Sequence, residues 1–237
     1  MPRPWPAPAG HFVVGGASRF NDTGGMSVRV KICGITSLDD ALAAVDAGAD
    51  ALGFMFYEKS PRSVSLETAR EIARQLPPFV AKVGVFVDAA EEVVRKHVAG
   101  CGLDTLQFHG DEPPEFCGKF SPLKVYKAFR IQNPDSLRML PAYRTDAWLL
   151  DGYVPDKLGG SGATFNWGLA VEAKKLGRPI ILAGGLTPEN VADAVRKAQP
   201  YAVDVSSGVE SSPGKKDPSK MWKFVAAAKA AAEQVEK

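Results

Sequence analysis

Residues 28–48 read VRVKICGITSLDDALAAVDAG. The first part alternates. Val28, Val30 and Ile32 are apolar and β-branched, and Arg29, Lys31 and Cys33 lie between them. A period of two is the mark of a strand with two unlike faces. Gly34-Ile35-Thr36 turns the chain. Ser37 then precedes Leu38-Asp39-Asp40, a capping hydroxyl with acids in the first turn of an amphipathic helix. Gly48 follows that helix, where a left-handed residue is wanted.

Working outward, the same unit recurs along the chain. Strands are expected over 28–33, 51–56, 81–87, 105–109, 124–129, 147–151, 179–183 and 202–206. Helices are expected over 38–47, 66–76, 90–99, 115–120, 134–140, 167–176, 188–198 and 219–233. The fourth lies around a Pro-Pro pair and Gly118. Thr187-Pro188-Glu189 offers a cap, a proline at the first helical position and an acid. Asn166 can cap a helix opening at Trp167, and Gly177 ends one as Gly48 does. Strict alternation of strand and helix is the α/β signature, and eight units suit a single-domain (β/α)8 TIM barrel over residues 28–237.

Residues 1–27 stand apart. They are rich in Pro and Gly and lack periodicity, and their longest apolar stretch, Phe12 to Val14, is too short for a signal peptide. They read as a disordered or non-native extension, with Met26 as a candidate initiator. Composition excludes several classes. Of 237 residues, 45% are hydrophobic and 24% charged, with a net charge of +2, so no basic stripe marks a nucleic-acid binder. No apolar run approaches the ~20 residues that span a bilayer. Three cysteines without a C-x-x-C pair fit a reducing cytoplasm and no structural zinc.

Alternation predicts which side chains point into the barrel. They are Arg29, Lys31 and Cys33 from the first strand, and Thr105, Gln107 and His109 from the fourth. Leu149 and Asp151 follow from the sixth, then Asp204 and Ser206 from the eighth. Barrel interiors are usually apolar, and burying such groups is costly unless they are paired or used. Each has a plain alternative. Cys33 can be inert packing, His109 a satisfied core histidine, and Lys31 with Asp204 simply an interior ion pair between neighbouring strands. Together, at the strand ends where barrels keep their chemistry, they read as a site.

Two glycine-bearing loops follow the last two strands, Gly184-Gly185-Leu186-Thr187 and Ser206-Ser207-Gly208-Val209. This is the recurrent phosphate position of barrels, so Gly184, Gly185, Ser206, Ser207 and Gly208 are candidate phosphate contacts. Gly160 and Gly162, in Gly159-Gly160-Ser161-Gly162, form a third loop able to fold over the same ligand.

These stretches resemble the phosphoribosylanthranilate isomerase family. The matching residues include Lys31-Ile32-Cys33-Gly34-Ile35-Thr36, Ser60-Pro61-Arg62, Gln107-Phe108-His109-Gly110, Leu150-Asp151, Leu182-Ala183-Gly184-Gly185-Leu186 and Asp204-Val205-Ser206-Ser207-Gly208-Val209-Glu210, in the family's order. Asn166 stands where the family usually has Asp, and Phe108 where Leu is commoner. The resemblance implies an Amadori rearrangement in tryptophan biosynthesis, without metal or organic cofactor. An N-phosphoribosyl aminobenzoate opens to an imine, loses its C2′ proton and becomes an aminodeoxyribulose phosphate. It implies Cys33 as general base and Asp151 as general acid. Arg62 would lie near the aryl carboxylate, and Asp204 near the amine or sugar hydroxyls. Lys31, Gln107 and His109 complete the substrate contacts. The expected partner is that small phosphorylated ribosyl-amine, for a monomer or a homodimer.

The chemistry needs both pKa values displaced. A thiol starting near ~8.5 must ionise and a carboxyl starting near ~3.9 must hold a proton. Lys31 is expected to depress the first, desolvation and a phosphate dianion to raise the second. A pentulose-phosphate epimerase would need several histidines at strand ends, and of His11, His97 and His109 just one lies there. An indole-glycerol-phosphate synthase relative would want an inward Lys–Glu pair, which Lys31 half supplies. A barrel that only binds a phosphate ligand would not need Cys33 and Asp151.

Overall fold

A computed structural model describes residues 28–152 and 166–235. Eight parallel strands close a barrel in chain order: β1 (Arg29–Cys33), β2 (Ala51–Met55), β3 (Ala81–Phe86), β4 (Thr105–Phe108), β5 (Lys124–Arg130), β6 (Ala147–Asp151), β7 (Ile180–Ala183) and β8 (Ala202–Val205). β8 pairs with β1 and sets Lys31 opposite Asp204. The TIM barrel is thereby present as expected, and all eight strands fall where the alternation puts them.

The α-helices are α1 (Leu38–Asp46), α2 (Leu66–Ala73), α3 (Glu91–Cys101), α4 (Pro114–Cys117), α5 (Trp167–Lys174), α6 (Val191–Ala198) and α7 (Pro218–Val235). Ser37 caps α1 by accepting the Asp40 N–H, and Asn166 caps α5 by accepting that of Gly168. Gly48 and Gly177 take φ of 91° and 87°.

Three helices depart from expectation. The fourth is a single α-turn, and the chain then tightens into a 3-10 turn over Gly118–Phe120. Between β5 and β6 the helix is 3-10 throughout, Pro134–Ala142, with Pro141 inside it. Proline there removes a donor an α-helix would use. α6 opens at Val191, later than Thr187-Pro188 suggested. Asn190 takes the Thr187 N–H on Oδ1 and donates Nδ2 to Gly185 O, which holds the preceding residues in a turn.

Side chains sort by strand face. Val30, Ile32, Phe54, Leu106, Phe108, Trp148, Leu150, Val203 and Val205 pack outward under the helices. Each large one contributes about 1.5–3 kcal/mol by leaving water. Cys33, Val83, Val85, Tyr126, Ala128, Leu149 and Ile181 fill the interior. Arg29 is the exception. It opens β1 at the amino-terminal rim, exposed, and pairs with Asp50 at 2.8 Å instead of entering the barrel. Arg29 is the first rung of the wall, paired with Ala202 at its rim, where water is within reach and is the cheaper place for a guanidinium.

After β8 comes a short hairpin that the strand–helix rhythm does not announce, β9 (Glu210–Ser212) with β10 (Lys215–Lys216). Its Lys216 N–H bonds to Asp40 Oδ2 of α1, and Gly214 O accepts from Thr36 Oγ1 at 2.6 Å. It is thereby pinned over the end of β1. Among the described residues no helix is long and apolar enough to cross a membrane.

Candidate active site

Cys33 ends β1, inside the barrel and buried. Beneath it Lys31 Nζ donates to Asp204 Oδ1 at 2.8 Å, with side chains 4% and 9% exposed. Strand pairing makes this contact, since Lys31 and Asp204 face each other across the β1–β8 seam. Burial is the largest influence on Lys31 and opposes its charge, but Asp204, Cys33 and Tyr126 together outweigh it and the ammonium's pKa rises. Burial also governs Cys33. It pushes the thiol up, while Lys31 pulls the other way without winning. The expectation of a thiol depressed by Lys31 is therefore corrected: desolvation outweighs the ammonium beside it.

Asp151 ends β6. Its Oδ2 lies 3.3 Å from His109 Nε2, at the far end of β4. Gln107 Nε2 donates to His109 Nδ1 at 2.8 Å. An amide nitrogen only donates, so the ring proton sits on Nε2, facing Asp151. The chain Gln107–His109–Asp151 thus orients the carboxylate. Its other oxygen is crowded from behind: a Cβ on Gly184, whose φ is 84°, would stand 2.5 Å from Asp151 Oδ1. Only glycine fits between the acid and the β7 loop.

The two proposed phosphate loops meet. A Cβ at Gly208 would collide with Leu186 O, so the β8 loop rests directly on the backbone of the β7 loop. Gly184, Gly185, Ser206, Ser207 and Gly208 are brought together there. Ser206 Oγ also donates to Cys33 O at 3.0 Å. Gly160 and Gly162 lie outside the described residues, as do residues 1–27.

Arg62 sits in the loop between β2 and α2. Its guanidinium is already engaged: Nε and Nη2 donate to Glu210 Oε1 and Oε2 at 2.8 and 2.7 Å. Glu210 in turn accepts from Lys216 Nζ at 2.9 Å, and the Lys216 side chain is 0% exposed. Neither partner was singled out by the sequence reading. Glu210 was visible as the last residue of a quoted motif, whereas Lys216 sits in a Lys-Lys pair that looks like a solvated face. Two buried oxygens, Gln107 Oε1 and Tyr126 OH, have no hydrogen-bond partner. They belong to facing residues of β4 and β5, inside the barrel below the mouth. Among the described residues no three metal-ligating side chains cluster.

The model of the N-(5'-phosphoribosyl)anthranilate (PRA) isomerase family matches residues 30–227. An N-(5'-phosphoribosyl)anthranilate isomerase of Geobacter sp. strain M21 is 58% identical over 201 residues, covering 85% of this chain and 98% of the relative. The crystal structure of phosphoribosyl anthranilate isomerase from Thermotoga maritima superposes with a TM-score of 0.82 at 47% identity, covering 86% of this chain and 99% of that one. A structure of such an isomerase in complex with reduced 1-(o-carboxyphenylamino)-1-deoxyribulose 5-phosphate has a TM-score of 0.78 at 45% identity, with coverage of 86% and 99%.

Proposed function

The chain belongs to the N-(5'-phosphoribosyl)anthranilate isomerase family, and from that premise we propose how its own residues divide the work. The enzyme converts N-(5'-phosphoribosyl)anthranilate to 1-(2-carboxyphenylamino)-1-deoxyribulose 5-phosphate in tryptophan biosynthesis.

Asp151, as the acid, delivers a proton to the ribose ring oxygen, and the C1′–O bond opens to an iminium. Cys33, as the base, removes the C2′ proton, and that electron pair flows toward the iminium nitrogen to give an enolamine. Tautomerisation yields the ketose. The substrate's own nitrogen is the electron sink.

One observation carries this reading. A thiol and a carboxylate close two different strands at one barrel mouth, the first over a buried Lys31–Asp204 pair, the second held by His109. Lys31, and less strongly Lys216, oppose the burial that disfavours a thiolate, while Asp204 adds to it. Asp204 is placed to meet the amine or a sugar hydroxyl while still holding Lys31. The joined loops of Gly184, Gly185, Ser206, Ser207 and Gly208 take the 5′-phosphate, with Gly160 and Gly162 as further contacts. Arg62 meets the anthranilate carboxylate with the edge of its fork that Glu210 leaves free. A phosphorylated ligand is found in a related isomerase, which supports the anion site.

The test is turnover of N-(5'-phosphoribosyl)anthranilate, followed by chromatography of substrate and product. Cys33→Ala and Asp151→Asn are each expected to lower kcat at least ~100-fold with KM within a few-fold. Comparable losses in surface-charge controls would show that the roles are misassigned. The barrel over residues 28–237 carries this activity. A chain begun at Met26 is expected to keep full kcat/KM, and a drop would assign residues 1–25 a part. A cytoplasmic setting suits the three free, buried thiols. The Thermotoga maritima isomerase is dimeric, and monomers have been generated from it. Light scattering distinguishes monomer from homodimer for this chain.

A further inference from the structure

Arg62 and Glu210 alone would make a neutral pair, and a neutral pair has little attraction for an incoming carboxylate. Lys216 changes the count. Its ammonium, fully buried, touches the same Glu210 Oε1 that receives Arg62 Nε. One carboxylate therefore lies between two basic side chains: burial works against the proton on Lys216 and Glu210 works to hold it, and with that proton in place the cluster carries a net positive charge. Two flanking charges cancel: Lys220 Nζ donates to Glu210 O, and Asp40 Oδ2 accepts the Lys216 N–H.

The geometry is as selective as the charge. A guanidinium has five N–H groups arranged as a rigid fork. Glu210 occupies the Nε–Nη2 edge. Among the described residues no hydrogen bond is made by Nη1, so the Nη1–Nη2 edge remains open to a second planar carboxylate. The hairpin that supplies Glu210 and Lys216 is itself anchored, by Thr36 Oγ1 on Gly214 O and by Lys216 Nζ on Ser206 O at 3.2 Å. Ser206 Oγ is bonded to the carbonyl of Cys33. The base and the guanidinium are thus referred to one buried ammonium. Ordering a long arginine before substrate arrives moves the loss of side-chain freedom from binding to folding.

We infer that Glu210, with Lys216 behind it, is a positioning residue that presets Arg62 for an aryl carboxylate and so makes the enzyme select ribosyl-amines bearing that acid. The inference rests on the reading that Arg62 receives the anthranilate carboxylate.

The experiment compares kcat and KM for N-(5'-phosphoribosyl)anthranilate and for N-(5'-phosphoribosyl)aniline, which lacks the acid. Glu210→Gln is expected to raise KM for the first about tenfold with kcat within about threefold. The preference for the acid-bearing substrate should fall by the same factor of about ten. In an Arg62→Ala background, Glu210→Gln should add less than about twofold, because its effect passes through Arg62. The paired variant Glu210→Gln/Lys216→Met removes the fully buried ammonium together with its carboxylate and leaves only the part-exposed Arg62 charged. It should show the same loss of preference if the single variant folds poorly. Equal losses for both substrates, a change in kcat alone, or full additivity with Arg62→Ala would overturn the inference. An Arg62→Ala variant with undiminished preference would instead overturn the carboxylate reading itself, and the inference with it. Preference lost in Arg62→Ala but kept in both Glu210 variants would overturn the inference alone.

Discussion

Two buried lysine–carboxylate pairs lie on opposite sides of the barrel wall. Inside, Lys31 meets Asp204 at 2.8 Å. Outside, under the helices, Lys127 of β5 stands 3.4 Å from Glu112, with side chains 4% and 3% exposed. Composition and burial match, but the remaining hydrogen bonds do not. Lys127 Nζ also donates to Gly110 O at 2.6 Å and Ala128 O at 3.0 Å, and Glu112 accepts the N–H groups of Asp88 and Gly110. That pair is saturated by backbone, and it ties the loops after β3 and β4 together. Lys31 faces a thiol and Asp204, next to the unpartnered oxygen of Tyr126 in the interior. The outer pair is held by backbone on both partners, as a structural tie is; the inner pair's described bonds are to side chains alone, which suits the substrate role proposed for it.

Removing both charges separates the two roles most sharply. Lys127→Met/Glu112→Gln should cost about 3 kcal/mol or more in urea unfolding, because the carbonyl of Gly110 and the two N–H groups lose charged partners. Its folded fraction should keep wild-type kcat. Lys31→Met/Asp204→Asn should stay within about 1–2 kcal/mol of wild type, as apolar replacement of a buried pair often does. Its kcat/KM should fall about 100-fold. Equal stability losses for the two would erase the distinction.

A smaller effect sharpens the interior side. Burial holds the Cys33 thiol above its ordinary value. A raised thiol stabilises the fold below the ordinary thiol pKa, and that contribution is lost as pH rises through the folded value. The thiolate absorbance of wild type minus Cys33→Ser should titrate above ~8.5, and higher still in Lys31→Met. A midpoint below ~8.5 would mean that Lys31 outweighs burial.

The smallest effect concerns the mouth. Burial would raise Glu210, but its bonds from Arg62 and Lys216 outweigh it and hold the carboxyl below the usual range. Its stabilisation is then full above about pH 4.3 and fades as pH falls through the folded value. The stability deficit of Glu210→Gln should be constant at neutral pH and shrink in acid. A deficit that grows in acid would contradict this.

The interior pair was legible in the sequence because charges at Lys31 and Asp204 break an apolar alternation. Cys33, Asp151 and His109 stood at strand ends, so a period of two was enough to aim them. Lys127 was not legible. It shares the outward face with Val125 and Phe129, and only the backbone carbonyls that gather around it explain a lysine there. Glu210 and Lys216 were hidden for a related reason. The contact of Glu210 with Arg62 spans 148 residues, and Lys216 reaches Glu210 through a hairpin with no periodic signal. The two failed helices carried their warning in Pro113-Pro114, Pro134 and Pro141, which favour short 3-10 turns over full α-helices.

The bond between Lys31 and Asp204 joins positions 173 residues apart, on the first and last strands of the ring. During synthesis the ammonium leaves the ribosome 173 residues ahead of its counter-ion. Until β8 arrives, the first strand has a bare charge where the wall must close, so the pair forms only once the barrel's last strand is made. A circular permutant opened between two middle strands would bring these partners much closer along the chain. The wall would then be expected to seal at the β1–β8 seam earlier and at the new opening last.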